Sequence, residues 1–484
     1  MDSSALFLLF MLCISCSPFS ASEMLLLPLK HSISPTQFNS THHLLKSTST
    51  RSASRFHHQR HHRQVSLPLS PGSDYTLSFN LGSHPPQPIT LYMDTGSDLV
   101  WFPCAPFECI LCEGKPNPSL HIRPPNVSRS VAVSCKSPAC SAAHTSASSS
   151  DLCAMARCPL ENIETSDCSS YSCPPFYYAY ADGSLIAHLY RDTLAVSPSS
   201  GSLFLKNFTF GCAHITLGEP TGVAGFGRGL LSLPAQLARF SPQLGNQFSY
   251  CLVSHSFDQQ RVRRPSPLII GRSDEKEKID SEAGEFVYTS MLENPKHPYF
   301  YCVGLLGISV AKRTIPASKM LSRVDDEGNG GMVVDSGTTF TMLPASLYNS
   351  VVAEFDRRVG RVHERAGEVE DKTGLAPCYY LEKKTLEVPS VTMHFVGNNS
   401  SVVLPRKNYF YEFLDGGAGV REKRRVGCLM LMNGGDEAES GGGPAATLGN
   451  YQQQGFEVVY DLENQRVGFA RRQCASLWDK LNSN

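Results

Sequence analysis

Long apolar runs are scarce in this chain of 484 residues; the longest, "ALFLLFMLCI" at 5–14, spans ten. A helix that crosses a bilayer needs about 20 apolar residues, so no membrane span is expected. The polar ending "SLWDKLNSN" predicts no glycolipid anchor. Net charge is also missing, at −1 overall, which excludes a general nucleic-acid surface. No phosphate loop and no regularly spaced His/Cys set is present, so neither a cofactor nor a metal is expected. Cysteine is thin in the second half: of 17, only Cys378, Cys428 and Cys474 follow position 335.

What is present begins at the N-terminus. The short apolar run, followed by Pro18 and small residues to Ser22, reads as a cleaved signal peptide over 1–22 and predicts secretory entry. From residue 23 to about 70 the composition turns basic and His-rich. "THHLLKSTSTRSASRFHHQRHHRQ" holds six histidines and five Lys or Arg with no acid. Its histidines lack companion ligands at fixed spacing, so a metal site is disfavoured against a solvated basic tail. Removing residues 1–64 takes six of 43 bases and two of 44 acids, leaving a formal charge of −5.

The informative feature is a repeat. "ITLYMDTGSDLVW" (89–101) ends an alternating apolar strand in Asp94, followed by Thr95, Gly96 and Ser97. "GMVVDSGTTFTML" (331–343) repeats the arrangement with Asp335, Ser336, Gly337 and Thr338. One such tetrad arises by chance in roughly one chain in thirty of this length; two, 241 positions apart and each behind an apolar strand, are much rarer. A later apolar-glycine segment echoes each copy: "GVAGFGRG" (222–229) and "ATLGNYQQQ" (446–454). The repeat predicts two similar lobes, each supplying one carboxylate.

Two aspartates held together cannot both ionise cheaply and therefore share a proton. The ionised partner can take a proton from a water between them, and the protonated one can hydrogen-bond the carbonyl that this water attacks. Ser97 and Thr338 are placed to orient the outer carboxylate oxygens. Thr95 and Ser336 are placed to bond across the lobe interface.

With these residues the sequence resembles the pepsin-like aspartic proteases, from about Tyr75 to Cys474. The resemblance implies a mostly-β, all-β-class bilobal fold with a few short helices, and Asp94 and Asp335 as the catalytic pair. It also implies a substrate-covering flap bearing Tyr180, Gly183 and Ser184, with Trp101 bracing it. The sequence departs from many relatives at Ala181, where they have glycine, and at Ser336, where the first loop has threonine. The spacing of "VWFPCAPFECILC", "SCKSPAC", "FGC" and "FSYC" resembles the nepenthesin-like or nucellin-like plant subgroup, with a cysteine-rich insertion in the first lobe. The larger saposin-like insertion of other plant relatives is absent.

By the same resemblance the disulfides expected are Cys104–Cys109, Cys112–Cys212, Cys135–Cys173, Cys251–Cys474 and Cys378–Cys428. Cys140 is expected to pair with Cys153, Cys158 or Cys168, leaving Cys302 as a buried free thiol. The boundaries implied are a pro-segment over 23–70, a first lobe over 71–265 and a second over 266–484. The expected partners are a polypeptide substrate and the chain's own pro-segment, in a monomer located outside the cell, in the cell wall, with the vacuole as alternative. Asn126, Asn207, Asn398 and Asn399 begin glycosylation acceptor sequences. Pro344 and the stripe Leu347, Val351, Phe355 and Val359 predict a helix after the second acid loop. Histidines 188, 214, 297 and 394 read as structural, and 261–264, 274–279 and 421–425 as exposed loops. The rival reading is a catalytically weak binding or inhibitor-type protein on the same scaffold. Both acid loops are intact, which favours the enzyme.

Overall fold

The computed structural model describes residues 24–31, 41–60, 75–82, 85–112, 124–180, 183–196, 203–218, 220–240, 242–254, 264–271, 285–381, 387–415, 423–435 and 443–482. The expected signal peptide lies outside them, as do residues 261–263 and 274–279 of the expected loops. In each lobe the acid-bearing strand runs parallel to its glycine-bearing echo. Gln87–Asp94 pairs with Gly222–Gly225, placing Asp94 opposite Gly225, and Met332–Val334 pairs with Ala446–Leu448. The strand after each acid loop then packs antiparallel on that same echo strand, through Val100↔Ala224 in one lobe and Met342↔Thr447 in the other. The repeated sequence therefore folds as a repeated substructure.

The lobes share a sheet beneath the acid loops. Gln247–Cys251 of the first lobe pairs antiparallel with Phe456–Asp461 of the second, which forms a hairpin with Arg466–Arg471. Phe248 stacks on Tyr460 with ring centroids 4.6 Å apart, fixing this seam with buried aromatic area. Cys251–Cys474 ties the seam to the C-terminal helix Cys474–Asn482.

The helix after the second acid loop spans Ala345–Arg358, with Pro344 just before its first turn. Leu347, Val351, Phe355 and Val359 are all buried, each stabilising the fold by about 1.5–3 kcal/mol. "REKRR" is less of a loop than its charge suggests: Arg424 and Arg425 open the strand Arg424–Leu429. Their exposed side chains pair with Glu364 and Glu412.

Cysteine pairing departs from expectation in the first lobe. Cys104 pairs with Cys212, and Cys109 with Cys112, correcting Cys104–Cys109 and Cys112–Cys212. Strand pairing is the reason: Val100–Ile110 lies parallel to Leu203–Leu217 with Phe102 opposite Cys212, so Cys104 lands beside it. Cys135 pairs with Cys153, Cys140 with Cys173, and Cys158 with Cys168. These replace Cys135–Cys173 and the pairings expected for Cys140. Here three short helices, Pro138–Ala143, Ser149–Met155 and Leu160–Glu164, fold the insertion so that Cys153 reaches Cys135. Cys251–Cys474 and Cys378–Cys428 form, and Cys302 is a buried free thiol, as the sequence bookkeeping left it.

The basic segment is not a solvated tail where it is described. Leu25–His31 joins the sheet, antiparallel to Ser266–Ile270 and to Tyr75–Leu81. Thr41–Arg60 is a helix whose Leu44 and Leu45 are buried among Phe340, Val369, Leu375 and Tyr451 of the second lobe.

Candidate active site

The two acid strands end at the same place. Asp94 is 4% exposed and Asp335 fully buried. The Thr95 amide donates to Ser336 Oγ at 3.0 Å, and the Ser336 amide donates to Thr95 Oγ1 at 2.9 Å. Thr95 Oγ1 donates on to the Val334 carbonyl at 3.0 Å, and Ser336 Oγ to the Met93 carbonyl at 3.2 Å. Each hydroxyl is thus donor and acceptor at once, and the two loops are locked in register. Replacing threonine by serine at position 336 keeps both bonds.

The carboxylates are oriented from within their own loops. Gly96 donates its amide to Asp94 Oδ1 at 2.9 Å, and Gly337 to Asp335 Oδ1 at 2.8 Å. Thr338 Oγ1 donates to Asp335 Oδ2 at 2.6 Å. Ser97 differs from this plan: its buried hydroxyl makes no hydrogen bond among the described residues. Its carbonyl instead accepts from the Gly227 amide at 2.7 Å, so the backbone pins this loop. Gly96 is required by proximity, since a Cβ there would lie 2.8 Å from both Cγ and Oδ1 of Asp335. The first loop's glycine therefore faces the second loop's acid.

Beneath the dyad lie side chains that the sequence reading missed. Tyr460 OH reaches Thr95 Oγ1 and the Val334 carbonyl, each at 3.4 Å, and Tyr250 OH at 2.9 Å. Tyr250 also bonds Gln453 Oε1, whose amide nitrogen donates to the Leu448 carbonyl at 2.8 Å. Burial pushes both phenols far above their ordinary range, so they stay neutral donors. Their one signal in the sequence is alternation within "FSYC" and "FEVVYD", which marks them as inward-facing and nothing more.

The expected flap residues fall on the strands Phe176–Tyr180 and Gly183–Val196, paired through Tyr180↔Gly183 and Ala179↔Ser184. Residues 181–182, with the departure at Ala181, and the Tyr180 side chain lie outside the described set. Trp101, 1% exposed, packs in one cluster with Phe176, Leu185 and Ala187 under these strands. Asn126, Asn207, Asn398 and Asn399 are all exposed. Among the described residues, Cys140, His144 and Cys173 form a group compact enough for a metal ion. Two of its members are joined as a disulfide, which removes their thiolates as donors.

Two lobes with matching acid loops, cross-bonded at their tips over a shared sheet, define the pepsin-like class. The comparisons agree. Family models described as xylanase inhibitor N-terminal and xylanase inhibitor C-terminal match residues 75–272 and 300–471. A probable aspartyl protease of Arabidopsis thaliana is 63% identical, covering 96% of this chain and 95% of its own. Nepenthesin-2 of Nepenthes gracilis, an aspartic proteinase, is 28% identical, covering 85% of this chain and 81% of its own. In structure, soybean basic 7S globulin superposes with a TM-score of 0.61 at 19% identity, covering 94% of this chain and 99% of its own, a likeness of fold alone. The chain belongs to the plant pepsin-like aspartic proteases and is an aspartic endopeptidase.

Proposed function

We propose that the protein hydrolyses peptide bonds in acid, with Asp94 and Asp335 sharing one proton and a water as nucleophile. The ionised carboxylate takes the water's proton as its oxygen attacks the peptide carbonyl. The protonated carboxylate hydrogen-bonds that carbonyl oxygen, and a proton then passes to the leaving amine as the C–N bond breaks. The observation that carries this reading is the close approach of the two loops, with Gly96 packed against the Asp335 carboxylate. Tyr180 closes over the substrate and Trp101 braces it. Secretory entry, with residues 1–22 as the signal, is supported by the disulfides, which persist in oxidising compartments. Among the described residues no helix is long and apolar enough to cross a membrane.

The proposal extends to the helix Thr41–Arg60 as an intramolecular inhibitor. It lies against the flap strand Phe176–Tyr180 and against Thr341–Leu343 of the second lobe. Ser52 Oγ accepts from the Phe340 amide at 3.0 Å, while the Arg51 guanidinium sits 5.7 Å from the Tyr92 ring of the first lobe. The helix thus touches both sides of the cleft, two residues from Asp94 on one side and five from Asp335 on the other. The test is hydrolysis of a denatured protein by acid-treated enzyme, with and without a statine peptide that mimics the transition state. Asp94→Asn and Asp335→Asn should abolish cleavage while leaving the fold intact. Robust statine-sensitive cleavage by purified Asp94→Asn protein would overturn the dyad.

A further inference from the structure

The seam beneath the dyad carries two hydroxyls that cross between the lobes in opposite directions. Tyr301 precedes the second-lobe strand Cys302–Val303, which pairs with the acid strand Met332–Val334. Its hydroxyl leaves that lobe and donates to the Phe226 carbonyl of the first lobe at 2.8 Å. The Phe226 amide in turn donates to the Asp94 carbonyl at 2.7 Å, and the Val334 amide donates to the Tyr301 carbonyl at 3.0 Å. Phe226 and Tyr301 therefore join the backbone of Asp94 to that of the residue before Asp335.

Tyr250 makes the return crossing, from the first-lobe strand Gln247–Cys251 to Gln453 Oε1 of the second lobe. The Gln453 amide nitrogen donates to the Leu448 carbonyl at 2.8 Å, and that same carbonyl accepts from the Asp335 amide at 3.1 Å. This fixes which way the Gln453 amide faces, since only its oxygen is left for the phenol. The single proton of Tyr250 goes to Gln453, so in its 2.9 Å contact with Tyr460 it is Tyr250 that accepts. The Tyr460 ring lies 4.4 Å from that of Tyr301, and Tyr250, Tyr301 and Tyr460 are all fully buried. The three phenols form one packed unit, with a bond towards each aspartate.

We propose that Tyr301 and Tyr250 are positioning residues whose crossed hydrogen bonds set the spacing of the Asp94 and Asp335 carboxyls. The inference rests on the proteolytic reading of this cleft. A shift of one lobe over the other stretches a buried bond and leaves a desolvated acceptor unpaired. Spacing governs how strongly the carboxyls repel, and so how far apart their two proton steps lie. Close carboxyls share one proton over a wide pH range. Carboxyls that drift apart titrate closer together, and the working range narrows from both ends. Around the phenols and the dyad, the other ionisable groups are the Tyr299 phenol, the Arg228 guanidinium and the Asp98 carboxyl. Removing one neutral hydroxyl leaves every charge in this set in place, so a changed profile reports the dyad.

The test expresses the full chain as wild type, Tyr301→Phe, Tyr250→Phe and a control, Tyr379→Phe. The control loses a 2.7 Å bond to Asp356 Oδ1 in the separate sheet of Cys378–Tyr380. After acid activation, active sites are titrated with the statine peptide and kcat/KM is followed from pH ~2 to ~7. Each seam variant should draw both limbs of the profile inward by about half a pH unit. Its kcat should fall about tenfold with KM changed less than about twofold, while the control keeps the wild-type profile. Mere destabilisation would reduce the titrated sites and leave both limbs in place; that result overturns the proposal, as does equal narrowing in the control. Hydrogen exchange of the full chain needs no turnover. Tyr301→Phe should speed exchange at the Phe226 and Val334 amides about fivefold or more, and Tyr379→Phe should not. Should Tyr301→Phe fail to fold, Tyr250→Phe decides alone, read at the Asp335 amide. Wild-type exchange at these amides overturns the proposal whether or not the protein cleaves, whereas a wild type that does not cleave counts against the proteolytic reading.

Discussion

Replacing Glu354 by Gln should destabilise the second lobe at neutral pH far more than at pH ~2. Glu354 is on the helix Ala345–Arg358, its carboxyl only 1% exposed beneath three arginines. Arg357 Nε donates to Oε2 at 2.9 Å, Arg358 Nε to Oε1 at 2.6 Å, and Arg313 Nη1 to Oε2 at 3.0 Å. The bonds from Arg357 lead in holding the carboxyl down to about 2, from an ordinary 4.5. Because the folded value lies below the unfolded one, the group adds stability that is fully present above pH ~4.5 and is lost as pH falls through ~2. A shift of 2.5 units corresponds to about 3.4 kcal/mol, of which about 1.4 survives at pH ~3. The guanidinium groups are 30–63% exposed, so solvent screening trims the neutral figure to about 1–3 kcal/mol. Urea unfolding of wild type and Glu354→Gln at pH ~7, ~4.5, ~3 and ~2 reads it directly. A gap under about 0.5 kcal/mol at pH ~7, or a gap unchanged down to pH ~2, would refute the linkage.

Gly96→Ala should cost at least a hundredfold in kcat with disulfides intact, because its methyl meets the Asp335 carboxylate; near-normal kcat would mean that the loops part easily. Burial pushes the Cys302 thiol up to about 12, so iodoacetamide at pH ~8 should label none of it in native protein and one equivalent after unfolding. His42 Nε2 lies 3.0 Å from Asp415 Oδ1, a contact that holds this end of the helix Thr41–Arg60, the proposed inhibitor, against the second lobe. Asp415→Asn should therefore let the uncut precursor cleave substrate at a higher pH than wild type, measured as the midpoint of its activity profile.

The paired acids were legible because each is carried by a contiguous run: apolar strand, acid, hydroxyl, glycine. Local pattern and local structure coincide there, and the echo strands at 222 and 446 fall where backbone pairing needs them. The first-lobe cysteines were not legible in the same way. Whether Cys104 meets Cys109 or Cys212 is decided by a parallel pairing across more than a hundred residues, which no spacing encodes. Asp98 is a similar case. Gly229, whose missing Cβ leaves room for the Asp98 carboxylate, lies in a distant segment, so only the assembled fold brings the two together. The basic N-terminal segment misled by composition. Its histidines and arginines suggested solvation, while Leu25, Leu26, Leu27 and Leu29 among its neighbours are buried.

The strand Leu25–His31 has a consequence for what a matured molecule consists of. A cut between Arg60 and Tyr75 breaks the covalent link to this strand without touching its ladder to Ser266–Ile270. The product is a nicked, two-chain particle: a short and a long band on a denaturing gel, one mass in native conditions. Expelling the strand is a separate event, and it would bare the edge of Ser266–Ile270, a row of unpaired amides and carbonyls open to pairing with another chain. A recombinant chain begun near Leu67 lacks that guard from the start and should self-associate where the nicked protein does not.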